Sequence, residues 1–276
     1  MNPQVITSRK NENIQEAVKL IGSAEYRHEQ GLFVAEGARL CRDAAISGVT
    51  VQKVFYTAQA EEKYPDYLHS IFEAAGHTNV TQVYQIEPHV ADALSSTKTS
   101  QGIFCVCAMP SDAVGFDDLK KTVNGRPCHY IALENIQDPA NLGAVLRTAE
   151  ALGISGALLI GVCCDVYSPK VLRASMGAVF RLPFVSAGDM PAAAKQLHTS
   201  GFFTYAAVPA ADAQRVTNLD FSKPSVIAVG NEGNGLTHEA INACSAKVTI
   251  PMLGRAESLN AASSAAILMW EMMRNL

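Results

Sequence analysis

Short, almost wholly apolar runs, Ala157 to Ile160 and Val226 to Val229 among them, alternate along this chain with longer segments of helical periodicity. A strand with one face in water alternates apolar and polar residues. A strand that is apolar throughout is buried on both faces, as parallel strands flanked by helices are. The alternation therefore predicts an α/β fold, and it comes in two blocks. In the first, Ile14, Ala17, Val18 and Ile21 recur at helical spacing, and helices are also predicted over Gly37 to Ser47, Tyr64 to Ala75 and Pro88 to Leu94. Strands are predicted at Leu32 to Ala35, Val51 to Tyr56, Val80 to Val83 and Ile103 to Ala108. In the second block strands are predicted at His129 to Leu133, Ala157 to Ile160, Phe202 to Val208, Val226 to Val229 and Lys247 to Ile250, with helical segments between them; this reads as a mainly parallel sheet covered on both faces. Between the blocks, Met109 to Arg126 has no periodicity and holds Pro110, Gly115 and Gly125. The expected organisation is thus a domain over residues 1–110, a linker over 111–126 and a second domain over 127–276.

With 276 residues, 48% of them apolar, the chain can bury a core in each domain. Met1 to Gln15 is polar, and no run approaches the roughly 18 apolar residues that cross a bilayer, so a cytoplasmic protein without membrane contact is expected. Seven cysteines, mostly inside apolar runs such as Cys105 and Cys107, read as free buried thiols. No Cys-x-x-Cys pair occurs and His238-Glu239 lacks a second histidine, so no metal site is expected. A net charge of −4 excludes a protein coated in basic residues. Local clusters remain: Arg9 with Lys10, Arg39 with Arg42, and Lys170, Arg173 and Arg181, each either a set of phosphate contacts or ordinary solvated surface.

Three short motifs follow in order in the second block. Asn141-Leu-Gly-Ala-Val-Leu-Arg147 lies in a helix that Asp138 caps and Pro139 opens, running to about Leu152. Asn141 and Arg147 stand six residues apart, about 240° around that helix, so either Asn141 serves from the first turn or the two serve different neighbours. Arg147 is otherwise a surface residue of an amphipathic helix. Gly230-Asn-Glu-Gly-Asn-Gly-Leu236 follows a buried strand and precedes a helix that Thr237 can cap, which is the shape of a ligand loop. Glu232 would repel a phosphate and suits a cationic ligand or a positioned arginine. A dinucleotide loop fits poorly, because the position about twenty residues on, where a ribose-binding acid should stand, is Ile250. The third motif is Ile250-Pro-Met-Leu-Gly-Arg-Ala-Glu-Ser-Leu-Asn260. Ser258 there either caps a helix over Leu259 to Arg274 or belongs to a site, and Asn260 beside it offers both donor and acceptor.

The three motifs in this order resemble the SpoU/TrmH family of RNA ribose methyltransferases. In the first block, Tyr26-Arg-His-Glu-Gln-Gly-Leu-Phe-Val-Ala-Glu-Gly37 and, less tightly, Ser96-Thr-Lys-Thr-Ser-Gln-Gly102 resemble the substrate-binding domain attached to many such enzymes, itself similar to ribosomal proteins that recognise kinked RNA. The resemblance implies a C-terminal α/β trefoil-knot domain of SPOUT type, working as a homodimer, and a smaller N-terminal α/β RNA-binding domain. It implies S-adenosylmethionine as cofactor, held largely by backbone groups around Gly230, Ile250 and Leu259, and it assigns Asn141, Arg147, Glu232, Ser258 and Asn260 to substrate positioning and catalysis. The implied reaction methylates a ribose 2′-hydroxyl of RNA, ribosomal RNA ahead of transfer RNA. The alternative is a ribosome-associated RNA-binding protein that kept the fold and lost catalysis.

Overall fold

The computed structural model describes residues 3–76, 82–110 and 115–274, so the first half of the predicted strand Val80 to Val83 and the start of the predicted linker lie outside the described residues. Backbone contacts divide the chain into two compact units, residues 1–111 with 165–180 and residues 112–164 with 181–276. The segment 165–180, which the apolar pattern runs into the second domain, is thus grouped with the first.

The first unit orders its elements as β1 (Gln4–Ile6), α1 (Glu12–Gly22), α2 (Ala24–Gln30), β2 (Leu32–Glu36), α3 (Ala38–Ile46), β3 (Val51–Tyr56), α4 (Ala58–Lys63), α5 (Pro65–Gly76), β4 (Gln82–Ile86), α6 (Pro88–Leu94) and β5 (Ile103–Ala108). Its sheet runs β1-β4-β3-β5-β2, with β5 antiparallel to both neighbours and the other pairings parallel. Helix α1 buries Ile14, Ala17 and Leu20, and α6 buries Val90, Ala91 and Leu94, in one core with Phe55 and Phe104. Two of the quoted segments of this unit meet at the start of α3. Gly37 there has φ of +100°, which glycine adopts freely, and offers no side chain to cap the helix. Gln101 supplies the cap instead, its Oε1 accepting from the Ala38 N–H at 2.8 Å. Beside it Glu36 accepts from the Ser95 hydroxyl at 2.6 Å and from the Ser96 N–H at 2.9 Å.

The second unit includes a small ribbon, β6 (Thr122–Val123) and β7 (Arg126–Pro127), at the end of the predicted linker. It continues through β8 (His129–Glu134), α7 (Pro139–Leu152) and β9 (Gly156–Ile160). After α8 (Pro169–Ser175), which lies in the segment grouped with the first unit, come β10 (Phe184–Ala187), α9 (Met190–Thr199), β11 (Phe203–Ala207), β12 (Gln214–Arg215), β13 (Ser225–Val229), α10 (His238–Ala243), β14 (Ala246–Thr249) and α11 (Ala261–Met273). The sheet order is β10-β9-β8-β13-β11-β14-β12 and every pairing is parallel. Successive strand residues face opposite ways. Tyr130, Ala132, Leu158, Ile160, Val226 and Ala228 pack on one face with Met190, Ala194, Leu197 and Ala240 from α9 and α10. Helices α7 and α11 pack on each other and on strands β8, β9 and β13.

Helix α7 starts and stops as its sequence predicts. Asp138 accepts from the Ala140 N–H, Pro139 takes the first position, and Gly153 ends the helix in the left-handed region. The last helix differs from expectation. It begins at Ala261, and its cap is Asn260, whose Oδ1 accepts from the N–H groups of Ala262 and Ser263 at 2.9 and 3.3 Å; Ser258 caps nothing.

Candidate active site

Residues from all three motifs meet at one point of the second unit. Asn141 stands in the first turn of α7, largely buried, and its Nδ2 donates to Glu232 Oε1 at 2.9 Å. Its Oδ1 accepts from Asn260 Nδ2 at 3.0 Å. A carboxylate can only accept, and the backbone N–H groups at the start of α11 can only donate. Together these ends set the direction of both amides: the helix donates to Asn260, Asn260 to Asn141, and Asn141 to Glu232. Glu232 also accepts from the N–H groups of Gln137 and Asp138 at 3.3 and 3.2 Å. Partial burial alone would raise its pKa, but the bonds from Asn141 and from backbone N–H groups, its own included, outweigh that and hold the carboxyl below its usual value.

The loop carrying Glu232 is a tight hairpin. Asn231 and Gly235 exchange both backbone hydrogen bonds, at 3.0 and 2.9 Å. A Cβ on Gly230 would come within 2.1 Å of the backbone of Gly235 and Leu236, so no larger residue fits there without rebuilding the loop. The Asn231 side chain ties the hairpin down, donating to the Asn135 carbonyl at 2.8 Å and accepting from Gly233 and Asn234. Glu134, buried at the end of β8, accepts from both the N–H and the hydroxyl of Thr237 at 2.8 and 2.9 Å, and Thr237 in turn caps α10. Cys163 and Cys164, which follow β9, are kept as thiols: burial pushes both up, Cys164 to about 12.

A cavity of about 530 Å³ opens along this hairpin. Its wall takes in Ala207 to Ala210 from the end of β11 onward, the loop from Gly230 to Leu236, Thr249 and Ile250 at the end of β14, and Glu257, Ser258 and Leu259 before α11. The wall therefore follows the C-terminal ends of parallel strands, where open α/β sheets place their ligands. Among the described lining residues Glu232 and Glu257 are acidic, His238 is an imidazole, and none is lysine or arginine. Such a wall is a poor host for a polyphosphate and suits a ligand that carries positive charge.

The profile of the SpoU rRNA Methylase family matches residues 129–270. The chain belongs to this family. Residues 11–105 match the MRM3-like substrate binding domain. An uncharacterized tRNA/rRNA methyltransferase of Synechocystis is 30% identical over 98% of this chain and 93% of its own. A 23S rRNA guanosine 2′-O-methyltransferase of Bacillus subtilis is 29% identical, with 97% and 98% covered. Among solved structures, an AdoMet-bound rRNA methyltransferase from Sinorhizobium meliloti superposes with a TM-score of 0.87 at 27% identity, covering 99% of this chain and 98% of that one.

In this SpoU chain the structure brings Gly230, Ile250 and Leu259 to one cavity, with Glu232 and Ser258 on the same wall. Asn141 and Asn260 join Glu232 through the hydrogen bonds above. Arg147 is not brought in: it is exposed on α7, without a hydrogen bond or ion pair among the described residues. Across the 240° separation, Asn141 stands in the first turn, buried, and Arg147 faces away from it, exposed. Motif reading missed Glu134, Asn231 and the Ala207–Ala210 wall. Glu134 carried one signal, a carboxylate closing an otherwise apolar strand, and buried charges are rare without partners.

Proposed function

We propose that this protein is an S-adenosylmethionine-dependent methyltransferase acting on a ribose 2′-hydroxyl of ribosomal RNA. The observation that carries the reading is the cavity itself: it has room for a drug-sized ligand, and its described wall holds two carboxylates and no basic residue. These features fit a ligand with a sulfonium and an adenosine held by main-chain groups. Gly230, Ile250 and Leu259 would hold that cofactor, which when bound supplies an electrophilic methyl group. The relay from Asn260 through Asn141 keeps Glu232 ionised and fixed at the cavity wall, so polar groups are aimed before substrate arrives. The guanidinium of Arg147 is proposed to grip a phosphate of the RNA and favour negative charge on the attacking oxygen, and Ser258 to contact the substrate from the cavity wall. The first unit is proposed to bind the RNA, and the site of action to be the cytoplasm.

The homodimer and the knotted chain path belong to the same proposal. Late insertion of β13 between β8 and β11 accords with such a path, and a stripe of exposed apolar residues on α11 accords with a partner. The intact set Asn141, Arg147, Glu232, Ser258 and Asn260 speaks against an inactive RNA-binding protein.

Calorimetric titration with S-adenosylmethionine is expected to show one site per chain, abolished by Ala210→Trp, which fills the cavity from a partly exposed wall position. With unmodified ribosomal RNA present, labelled methyl should appear in nucleotides whose 3′ linkage resists alkali, because a 2′-O-methyl group removes the hydroxyl that cleaves it. Label confined to a base would overturn the ribose assignment.

A further inference from the structure

The two carboxylates of the cavity wall are differently engaged. Glu232 is occupied by Asn141 and by the N–H groups of Gln137 and Asp138. Glu257 lines the same cavity, is exposed, and makes no hydrogen bond or ion pair among the described residues. Arg255, the nearest cation along the chain, lies outside the cavity lining. Glu257 thus stands at the cavity wall with no partner among the described residues.

Resting on the S-adenosylmethionine reading of the cavity, we infer that Glu257 determines specificity between cofactor and spent cofactor by reading the sulfonium charge. Methyl transfer forms a bond from the ribose oxygen to the methyl carbon, breaks the carbon–sulfur bond with its electron pair left on sulfur, and releases the hydroxyl proton. The spent ligand is therefore a neutral thioether at the position where the cofactor was cationic. A free carboxylate at the wall attracts the first and is indifferent to the second, so it favours loading of fresh cofactor and exit of the product. The attraction acts through partly exposed space, which bounds its size: solvent-exposed ion pairs change equilibria by about two- to fivefold.

Three ligands separate the possibilities by calorimetry on the full chain. S-adenosylmethionine carries the sulfonium, sinefungin an ammonium in its place, and S-adenosylhomocysteine neither. Glu257→Gln is expected to weaken the first two about two- to fivefold and to leave the third unchanged. Glu257→Lys should deepen the same selective loss. Raising the salt to 1 M should shrink it, as the Debye length falls to about 3 Å. Since Glu257 makes no structural bond, both variants should fold as the wild type does. Equal loss for all three ligands would place Glu257 against a part they share and overturn the inference, as would unchanged binding in Glu257→Lys. Failure of the wild type to bind any of the three would instead sink the cofactor reading.

Discussion

Asn141 meets two opposite demands with one amide: its nitrogen must face a carboxylate and its oxygen must face Asn260. An aspartate has nearly the same shape but only acceptors, and it would set a second negative charge against Glu232. Asn141→Asp is therefore expected to lower methyl transfer at pH 8 by about 10- to 100-fold, the equivalent of roughly 1–3 kcal/mol for one buried bond replaced by an unpaired group. The loss should shrink toward pH 5.5, because two facing carboxylates raise one pKa and the retained proton restores a donor. In the wild type Glu232 stays ionised through that range, its pKa being lowered, so the variant-to-wild-type ratio isolates the effect. A ratio flat across pH would remove Asn141 from this role. At this scale the sequence exposes residues whose type is unusual for their place, such as a glutamate in a glycine loop. It hides partnerships: nothing in the spacing says that Asn260 rather than Ser258 caps α11, since both are good caps and only the neighbour at Asn141 distinguishes them.

Helix α2 illustrates what periodicity cannot see in an element. Its seven residues, Ala24 to Gln30, bury only Arg27, so no apolar stripe announces it. Arg27 holds it instead. The guanidinium donates to the Leu20 carbonyl at 2.5 Å and the Ile21 carbonyl at 3.1 Å, and its Nε and Nη2 reach Asp165 Oδ2 at 2.7 and 2.6 Å. Helix α4, which buries only Ala60, and the edge strand β1, which buries only Ile6, escaped pattern reading for the same reason. By contrast β3, β5 and α6 have their expected bounds: β5 is apolar throughout, β3 closes on Val54, Phe55 and Tyr56, all buried, and α6 buries Val90, Ala91 and Leu94 at helical spacing. The Arg27–Asp165 pair has side chains only 5% and 11% exposed, so removing Arg27 leaves a largely buried Asp165 with the Tyr167 N–H at 2.9 Å and His28 at 3.7 Å in place of a guanidinium. Arg27→Met is expected to lower the unfolding free energy by about 3–5 kcal/mol in urea. Arg27→Met with Asp165→Asn should recover most of it, since no naked charge remains. Equal destabilisation in the single and double variants would mean that the guanidinium matters through its carbonyl bonds alone.

Over the whole molecule, the parallel sheet of the second unit follows from its apolar runs, but the grouping of residues 165–180 with the first unit does not. It rests on pairings across more than a hundred residues, Arg27 with Asp165 and Phe33 stacked on Tyr167 at 4.8 Å, which no local pattern encodes. The proposed assembly is a matter of surface. Helix α11 is apolar nearly all round: Ala261, Ala265, Leu268, Met269 and Met272 are buried, while Ile267 and Trp270 remain 38% and 55% exposed. A helix apolar on every side is ordinarily covered on every side, and tryptophan is among the residues that most often anchor an interface. Trp270 is also the single tryptophan of the chain, so its emission reports on whatever covers α11. Ile267→Arg, one turn away, keeps that reporter and sets a charge into the stripe. The expected outcome is that the wild type sediments as two chains with blue-shifted emission and that Ile267→Arg sediments as one with emission moved to the red. Ile46→Arg, a still more exposed apolar position in the first unit, should change neither. A wild type that sediments as one chain at micromolar concentration would refute the dimer, and the exposed stripe would then have to be covered by something other than a second copy.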